Sequence, residues 1–381
     1  MSGLQVAWSW IAGHDRVVGP DVDPPAVLWE NARSVGPMPV DGPFPAASQP
    51  AVIAHRGACG YRPEHSRAAY DLAIELGADA IEPDVVATRD GVLVLRHENE
   101  ISGTTDVAGH AEFRDRRTTK RIDGTRVTGW FTEDFTWAEL MTLRTRERLP
   151  ELRPGSAAHD GKQPLLRLED LLAILDEASR PVGLVAEIKH ATYFARIGLP
   201  LDDLVDATLA RHGWRSDARL TLESFEKRVL HDLAARGTGG RRMYLMEAGG
   251  SAPDEQDRHG AAAPTYASER SDAQLAALAT TLDGISVSVR TLMAGVDTVA
   301  PDDPAPVRSD IVERAHAAGL DVFTWTLRPE NTSLPGPLRR TGGAAAHGDW
   351  QRWYTSVMRT GVDGVFADHA DLAVAARAML R

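Results

Sequence analysis

Cysteine is nearly absent from the sequence: Cys59 is the one thiol among 381 residues. A single cysteine excludes an intramolecular disulfide, and with it the small disulfide-stapled folds of secreted proteins. Zinc sites built on cysteine pairs are excluded as well, and no His-x-x-x-His spacing replaces them. The low cysteine content suits a reducing compartment without requiring one.

Long apolar runs and an excess of positive charge are also missing. No eighteen consecutive residues are apolar, so the sequence predicts no transmembrane helix. Asp and Glu outnumber Lys and Arg by 54 to 42, which gives a formal charge of −12. Because phosphate backbones are bound by clustered Lys and Arg, this balance argues against nucleic acid as the main partner. A small phosphorylated molecule is still compatible with it, held by a few local cations or a metal ion.

The amino-terminal residues 1–49 show no clear periodicity and are interpreted as an irregular arm, followed by one domain over residues 50–381. The opening residues lack a positively charged stretch and a cleavage site, so no signal peptide is predicted. The expected location is cytoplasmic as the sequence stands, or periplasmic or secreted if a signal has been removed. Nothing in the sequence specifies an oligomeric state.

From residue 51, short apolar runs alternate with stretches of helical periodicity, which is typical of βαβ units and a parallel sheet. The predicted strands are 51–56, 80–88, 183–189, 219–225, 241–247, 284–289, 321–327 and 362–367. The predicted helices are 66–76, 168–179, 201–212, 226–236, 272–281, 309–318 and 349–360. Eight strands with crossover helices predict an α/β protein with a (β/α)8 TIM barrel. An open doubly wound sheet is the alternative, although no Gly-x-Gly-x-x-Gly follows the first strand.

Residues 92–97 follow strand two so closely that they predict a β-hairpin rather than another barrel strand. A two-residue turn at Asp90-Gly91 sets Asp84 opposite His97, on the same face of the pair. Residues 98–165 then form a long insertion. Residues 248–270 and 328–347 are predicted to be flexible loops.

Polar side chains gather at the carboxyl ends of the predicted strands, where barrels of this kind place their active sites. Glu82 and Asp84 are two residues apart, as are Glu187 and Lys189, so each pair faces one side of its strand. Like charges facing a barrel interior are unfavourable unless a cation or proton separates them. The three carboxylates therefore predict a site for Mg²⁺ or Ca²⁺. The alternative is that each forms a surface ion pair.

Two histidines and two cations are expected at the same place. His55 ends the first strand, and the hairpin returns His97 to the second. Imidazole titrates near neutrality, so one ring can accept a proton while the other donates one. Arg56 and Lys189 beside a divalent metal suit a phosphoryl group, or they neutralise the carboxylates.

In their order and spacing, the motifs between Ala51 and Leu372 resemble those of the glycerophosphodiester phosphodiesterases, in the bacterial long-insertion branch. The resemblance is carried by His55-Arg56-Gly57, Pro63-Glu64, Gly77-Ala78-Asp79, Ile81-Glu82-Pro83-Asp84-Val85, Thr88-Arg89-Asp90-Gly91, His97-Glu98, Glu187-Ile188-Lys189, Glu223-Ser224-Phe225, Trp325-Thr326 and Gly361-Val362-Asp363-Gly364-Val365-Phe366-Ala367-Asp368. Two departures, His65-Ser66 for Asn-Thr and Glu98 for Asp, put the substrate preference in doubt.

The resemblance implies a (β/α)8 barrel with a small insertion after the hairpin. It also implies that Glu82, Asp84 and Glu187 bind one divalent cation, Ca²⁺ or Mg²⁺, and that His55 and His97 are the acid–base catalysts. The residues implied to bind the substrate are Arg56, Lys189, Glu64 and Trp325. The implied reaction converts small glycerophosphodiesters to glycerol 3-phosphate and an alcohol.

Two other functions are weighed beside this one. The first is a lipid-headgroup phosphodiesterase of the sphingomyelinase D type, which would need an apolar surface at the barrel mouth. Trp130, Phe131, Phe135 and Trp137 could supply that surface, although packing of the insertion explains them more simply. The second is a metal-dependent phosphate-ligand binder without turnover.

Overall fold

The computed structural model describes residues 49–293 and 309–380. Residues 1–48 of the predicted arm lie outside this part of the chain. Within it, no helix combines the length and the hydrophobicity needed to cross a bilayer.

The strands of the described chain alternate with helices along most of its length. In chain order they are β1 (Ala51–His55), β2 (Ala80–Glu82), β3 (Asp84–Ala87), β4 (Leu93–Leu95), β5 (Thr118–Ile122), β6 (Thr125–Gly129), β7 (Gly183–Ile188), β8 (Leu220–Ser224), β9 (Arg241–Met246), β10 (Gly284–Ser288), β11 (Asp321–Leu327) and β12 (Gly364–Ala367).

The α-helices are numbered in the same way. They are α1 (Arg67–Glu75), α2 (Trp137–Leu140), α3 (Pro154–Ala157), α4 (Leu168–Glu177), α5 (Ala191–Arg196), α6 (Leu201–Arg211), α7 (Lys227–Ala235), α8 (Pro253–His259), α9 (Tyr266–Glu269), α10 (Asp272–Leu278), α11 (Val289–Leu292), α12 (Ile311–Ala317), α13 (Trp350–Met358) and α14 (Ala370–Ala378).

A closed ring of parallel strands forms the centre of the molecule. The order around it is β1, β2 with β3, β7, β8, β9, β10, β11 and β12, which pairs again with β1. β2 and β3 are one barrel strand interrupted at Pro83, since β7 pairs with both. The predicted (β/α)8 barrel is therefore confirmed, and the open doubly wound sheet is wrong.

The apolar core has two parts. Inside the barrel, a small buried cluster is made of Ile53, Ala80, Val185, Met243, Phe323 and Phe366. A much larger cluster lies between the strands and the surrounding helices. Mainly apolar side chains thus fill the barrel, as they do in this fold generally, and its charged groups lie towards the strand ends.

The β3–β4 hairpin has a different register from the predicted one. Val85 pairs with Leu95, and the Arg96 amide donates to the Asp84 carbonyl, so Arg96 rather than His97 lies opposite Asp84. The predicted two-residue turn is wrong by one residue.

A three-residue turn explains this register. The Thr88 amide donates to the Val92 carbonyl, which leaves Arg89, Asp90 and Gly91 in the loop. Gly91 has a φ of +76°, the left-handed conformation that a three-residue hairpin loop requires at its last position. An Asp-Gly pair fits this turn as well as the two-residue type, so the dipeptide alone could not distinguish them.

Residues 98–165 contain the β5–β6 hairpin and the short helices α2 and α3. Trp130, Phe131 and Phe135 are buried in the core, so they pack the insertion and do not form an apolar surface. The lipid-facing surface that a sphingomyelinase D-like enzyme would need is therefore not formed by these three rings.

The prediction of a loop is wrong for one of the two segments. Residues 248–270 contain α8 and α9. Pro253 at the first position of α8 and acidic residues in its first turn explain why this segment is helical. Residues 328–347 contain short 3₁₀ turns at Asn331–Ser333 and Gly336–Leu338 and an isolated bridge between Glu330 and His347, in agreement with a loop.

Candidate active site

Three carboxylates meet at the carboxyl ends of neighbouring barrel strands. Glu82 ends β2, Asp84 begins β3, and Glu187 lies opposite Asp84 on β7. Each offers an oxygen, and the three oxygens lie within 4.8 Å of one another. All three side chains are buried, so the alternative of surface ion pairs is wrong.

Lys189 and Arg56 are the cations closest to this acidic group. The Lys189 Nζ lies 2.9 Å from Asp84 Oδ1 and 2.6 Å from Glu187 Oε1. The Arg56 Nε lies 3.3 Å from Asp84 Oδ2. Both predicted cations therefore contact the carboxylates directly, and both are buried.

The loop after β1 is shaped to bring Arg56 to the site. Arg56 has a φ of +57°, and its amide donates to Glu82 Oε2 at 2.7 Å. Gly57 follows with a φ of +82°, and a Cβ there would lie 2.8 Å from the Ala69 carbonyl carbon. Only glycine fits that position, so the tight turn and the direction of Arg56 depend on it.

The carboxylates retain unused acceptor capacity. Glu82 Oε1, Asp84 Oδ1 and Glu187 Oε1 are buried and make no well-directed hydrogen bond, although Lys189 lies close to two of them. Buried oxygens of this kind are costly unless a proton or cation satisfies them. The set of three hard oxygen donors fits Mg²⁺ or Ca²⁺.

The pKa values of the three groups diverge. Burial raises the pKa of Glu82 well above its usual value, and the Asp84 charge adds to this. Burial also raises the pKa of Glu187 to about 7, against the opposing effect of Lys189. For Asp84, burial is outweighed by Lys189, His97 and Arg56, so its pKa lies well below the usual range. Without a bound cation, burial and the neighbouring Asp84 therefore favour the protonated form of Glu82.

These shifts predict how the stability of the cation-free protein depends on pH. A carboxyl group whose pKa is raised by folding holds its proton more tightly in the folded chain, so stability falls as the pH rises towards that pKa. Glu187 loses its additional stabilisation as the pH approaches its pKa of about 7, and Glu82 and Glu223 act in the same direction. Between about pH 6.5 and 7.5 we expect the free energy of unfolding to fall by roughly 1–3 kcal/mol.

Urea unfolding followed by tryptophan fluorescence, in the presence of a chelator, would measure this dependence. Histidines with lowered pKa values, such as His55 and His97, act in the opposite direction, but mainly below their ordinary value of 6.5. Saturating Ca²⁺ or Mg²⁺ should remove most of the fall. A free energy of unfolding that is constant or rises over this interval would contradict the raised pKa values of Glu82, Glu187 and Glu223.

His55 lies at the end of β1, directly opposite Glu82 in the sheet register. Its Nδ1 donates to Asp368 Oδ1 at 2.7 Å, because a carboxylate can only accept. Burial and the Arg56 charge lower the pKa of His55 to about 4. The ring is therefore neutral at physiological pH, with its Nε2 lone pair able to take a proton.

His97 follows β4 by two residues and reaches the site in spite of the changed register. Its Nδ1 donates to Glu98 Oε1 at 2.5 Å. Burial, Arg56 and Lys189 lower the pKa of His97 to about 3, and Glu98 and Asp84 partly oppose this. The two predicted histidines are thus alike, since each has a carboxylate at Nδ1.

Glu64 and Trp325 occupy the edges of the site. Glu64 is buried and accepts from Arg56 Nη1 at 3.1 Å. The Trp325 ring packs edge-to-face on Phe225, and Lys189 Nζ lies 5.7 Å from that same Phe225 ring. The Trp325 Nε1 is buried without a hydrogen-bond partner, so it is a candidate donor to a ligand.

Several site residues were not assigned a role from the sequence. His65 is buried between the Tyr70 hydroxyl and Asp84 Oδ2, at 2.8 and 3.0 Å. Glu223 lies opposite Glu187 in the register and has an unpaired buried oxygen. Asp368 stood in a recognised motif without an assigned role. The barrel periodicity could have indicated Glu223, since it lies one residue before the end of β8, on the row of Asp84 and Glu187.

A cavity beside His55 extends the site. It is lined by His55, Arg56, Cys59, Glu64, Glu147, Arg148, Leu149, Arg153, Arg328 and Asp368. The predicted insertion contributes four of these residues, Glu147 to Leu149 and Arg153. No sequence motif pointed to these four, because only the fold brings residues 147–153 against the barrel mouth.

The sequence profile of the glycerophosphoryl diester phosphodiesterase family matches residues 55–372. The chain belongs to this family. It is accordingly a phosphoric diester hydrolase, and its reaction is the hydrolysis of glycerophosphodiesters. All of the site residues described above lie within the matched segment.

One relative agrees with this assignment, and two solved structures share the fold. The chain is 31% identical to glycerophosphodiester phosphodiesterase GDPD6 of Arabidopsis thaliana over 336 residues, which are 84% of each chain. It shares its fold with a solved phosphodiesterase from Oleispira antarctica, with a TM-score of 0.53, 20% identity, and coverage of 86% of this chain and 96% of that one. A glycerophosphodiester phosphodiesterase from Agrobacterium tumefaciens has a TM-score of 0.52 and 19% identity, with 86% and 99% covered.

Proposed function

We propose that the enzyme is a cation-dependent hydrolase that cleaves glycerophosphodiesters to glycerol 3-phosphate and an alcohol, with His55 and His97 as its acid–base pair. The observation that carries the proposal is the group of three buried carboxylates, each with an oxygen lacking a well-directed hydrogen bond, next to Lys189. The Oleispira relative was solved with the product sn-glycerol-3-phosphate, which supports the same product here.

Glu82, Asp84 and Glu187 would hold the cation, Ca²⁺ or Mg²⁺. Bound there, a divalent cation supplies Lewis-acid stabilisation of charge on a phosphoryl oxygen. Arg56 and Lys189 are placed to bind the other phosphoryl oxygens, since both are buried and both border the carboxylates. Charge-assisted hydrogen bonds from buried cations are strong because little water competes for them.

The two histidines would move the protons. The nucleophile is water, or the glycerol 2-hydroxyl followed by water, and either route needs one proton removed and one delivered to the departing alcohol. Each ring has Nδ1 engaged by a carboxylate, which leaves Nε2 to exchange protons with the substrate. We assign His97 as the acid and His55 as the base. The acid must be charged when the alcohol leaves, and the negative charge of the bound phosphodiester would favour that form.

Chelation should abolish activity. In a coupled assay for glycerol 3-phosphate, the purified enzyme treated with excess EDTA is expected to lose at least about 99% of its turnover of glycerophosphocholine and glycerophosphoethanolamine, since several kcal/mol of charge stabilisation are removed. Adding back Ca²⁺ or Mg²⁺ separately should restore it and identify the preferred ion.

The matched control is the same protein diluted from the chelator into excess Ca²⁺ before substrate is added, which separates ion loss from denaturation. Elemental analysis of the chelated sample must show that the ion has gone. Full activity in an ion-free sample would refute the cation dependence while leaving the family assignment intact.

A further inference from the structure

Arg148, in the predicted insertion, joins two parts of the active site. Its Nη1 and Nη2 donate to the two oxygens of Glu98, at 2.9 and 2.7 Å. Its Nε and Nη2 donate to the two oxygens of Glu64, at 2.8 and 2.7 Å. One guanidinium therefore holds two carboxylates in the bidentate geometry that only arginine can provide.

Each carboxylate held by Arg148 contacts a residue assigned above to the reaction. Glu98 accepts from Nδ1 of His97, and Glu64 accepts from Arg56. The contacts form a continuous chain from His97 through Glu98, Arg148 and Glu64 to Arg56. Its order links the candidate acid to a candidate phosphate ligand through a residue of the insertion.

A second arginine of the same segment serves the other histidine. The Arg153 Nη2 donates to Asp368 Oδ2 at 2.5 Å, and its Nε donates to Glu330 at 2.8 Å. Asp368 in turn accepts from Nδ1 of His55 and from Arg328. Arg153 and Asp368 are both buried, so water competes little with these bonds.

We propose that the insertion is part of the catalytic apparatus, with Arg148 and Arg153 as positioning residues. Through Glu98 and Asp368, they fix the ring orientation and the Nδ1–H tautomer of His97 and His55. The inference rests on the proposed acid–base role of the two histidines. A carboxylate free to rotate would leave its histidine in several orientations, of which only some direct Nε2 at the substrate.

The aromatic core of the insertion is separate from these arginines. Phe113 and Phe135 pack edge-to-face at 5.1 Å, and Arg116 lies over both rings. Glu98 and Arg148 themselves are about one-third exposed. Replacing Glu98 should therefore change catalysis far more than it changes folding, because partly exposed ion pairs contribute little to stability. Replacing Arg148 also takes one partner from the buried Glu64, which keeps Arg56, so thermal unfolding of this variant is measured beside its kcat.

The test compares Glu98→Gln, Arg148→Met and the double variant in the Ca²⁺-loaded full-length enzyme. We expect Glu98→Gln to lower kcat by about 10- to 100-fold, part of what acid–base catalysis contributes, with KM changed less than about twofold. Arg148→Met should lower kcat similarly and also raise KM, because Arg56 loses the support of Glu64. In the Glu98→Gln background, Arg148→Met should lower kcat by less than about threefold more.

A spectroscopic measurement reports the tautomer directly. In ¹⁵N-histidine NMR spectra, His97 should be in the Nδ1–H form in the parent enzyme and a mixture of tautomers in Glu98→Gln. Asp368→Asn provides the same measurement for His55. Arg146→Met is the matched control, since Arg146 is exposed and its side chain pairs with Asp160 outside this network.

The outcomes separate this inference from the proposed function. If Glu98→Gln and Arg148→Met stay folded and keep kcat within about twofold while His97→Ala is inactive, the positioning role is wrong and the acid–base proposal stands. If the two substitutions lower kcat independently, so that their factors multiply in the double variant, then Arg148 does not act through Glu98. If His97→Ala itself keeps full turnover, the proposed function fails first.

Discussion

Replacing either His55 or His97 by alanine is expected to lower kcat for glycerophosphodiester hydrolysis by about 10²–10⁴-fold. Each histidine has its Nδ1 engaged by a carboxylate and its Nε2 available, and the pKa of each is lowered by burial. A ring in this state takes or gives a proton only at one nitrogen. Its removal therefore removes one of the two proton transfers that the reaction needs.

The coupled assay for glycerol 3-phosphate, run with saturating Ca²⁺, measures the loss. Thermal unfolding of the same samples shows whether the variants are folded, and His212→Ala serves as the control because His212 pairs with Glu169 on the surface. The two single losses should not multiply fully in the double variant, since the histidines act in one reaction. Near-full turnover in either single variant would remove that histidine from the mechanism.

Glu82→Gln is expected to abolish tight cation binding and to lower kcat by about 10²–10³-fold, equivalent to roughly 3–4 kcal/mol. The Gln side chain can still accept from the Arg56 amide, but it no longer supplies a charged ligand. In the cation-free state, burial raises the pKa of Glu82, so replacing it with the neutral Gln removes the cost of burying a charge at this position. The variant should therefore be at least as stable as the parent without cation.

Calorimetric titration with Ca²⁺, and the rise in Tm that Ca²⁺ produces, measure binding without relying on activity. The parent should show both effects, and Glu82→Gln neither. Glu75→Gln is the matched control, because Glu75 is an exposed carboxylate at the end of α1. A Glu82→Gln protein that binds Ca²⁺ like the parent would exclude this carboxylate from the cation site.

The strand and helix positions could be predicted because apolar periodicity follows from local packing requirements. The predicted bounds of all eight barrel strands lie within two residues of the observed ones. The choice between a closed barrel and an open sheet, in contrast, required the observed pairing of β1 with β12. The hairpin register was missed by one residue, since Asp90-Gly91 is compatible with two turn types. Helices α8 and α9 were missed because their short, polar sequence carries no periodicity.

The residues of the candidate site could also be predicted only in part. Glu82, Asp84, Glu187 and the two cations were expected together because strand ends of a parallel barrel meet at one face. Glu223 completes the row of Asp84 and Glu187. The sequence shows its place near a strand end, whereas the register alone shows that it lies opposite Glu187.

The sequence by itself determined the barrel, the family and the acidic group at the strand ends. These depend on periodicity and on short motifs, both of which are local. Tertiary structure alone decided which carboxylate faces which histidine, and that Arg148 and Arg153 hold those carboxylates. The two arginines lie about 50 residues or more along the chain from Glu98 and Asp368, and no local pattern encodes contacts over that separation. These contacts form only when the insertion folds against the barrel mouth.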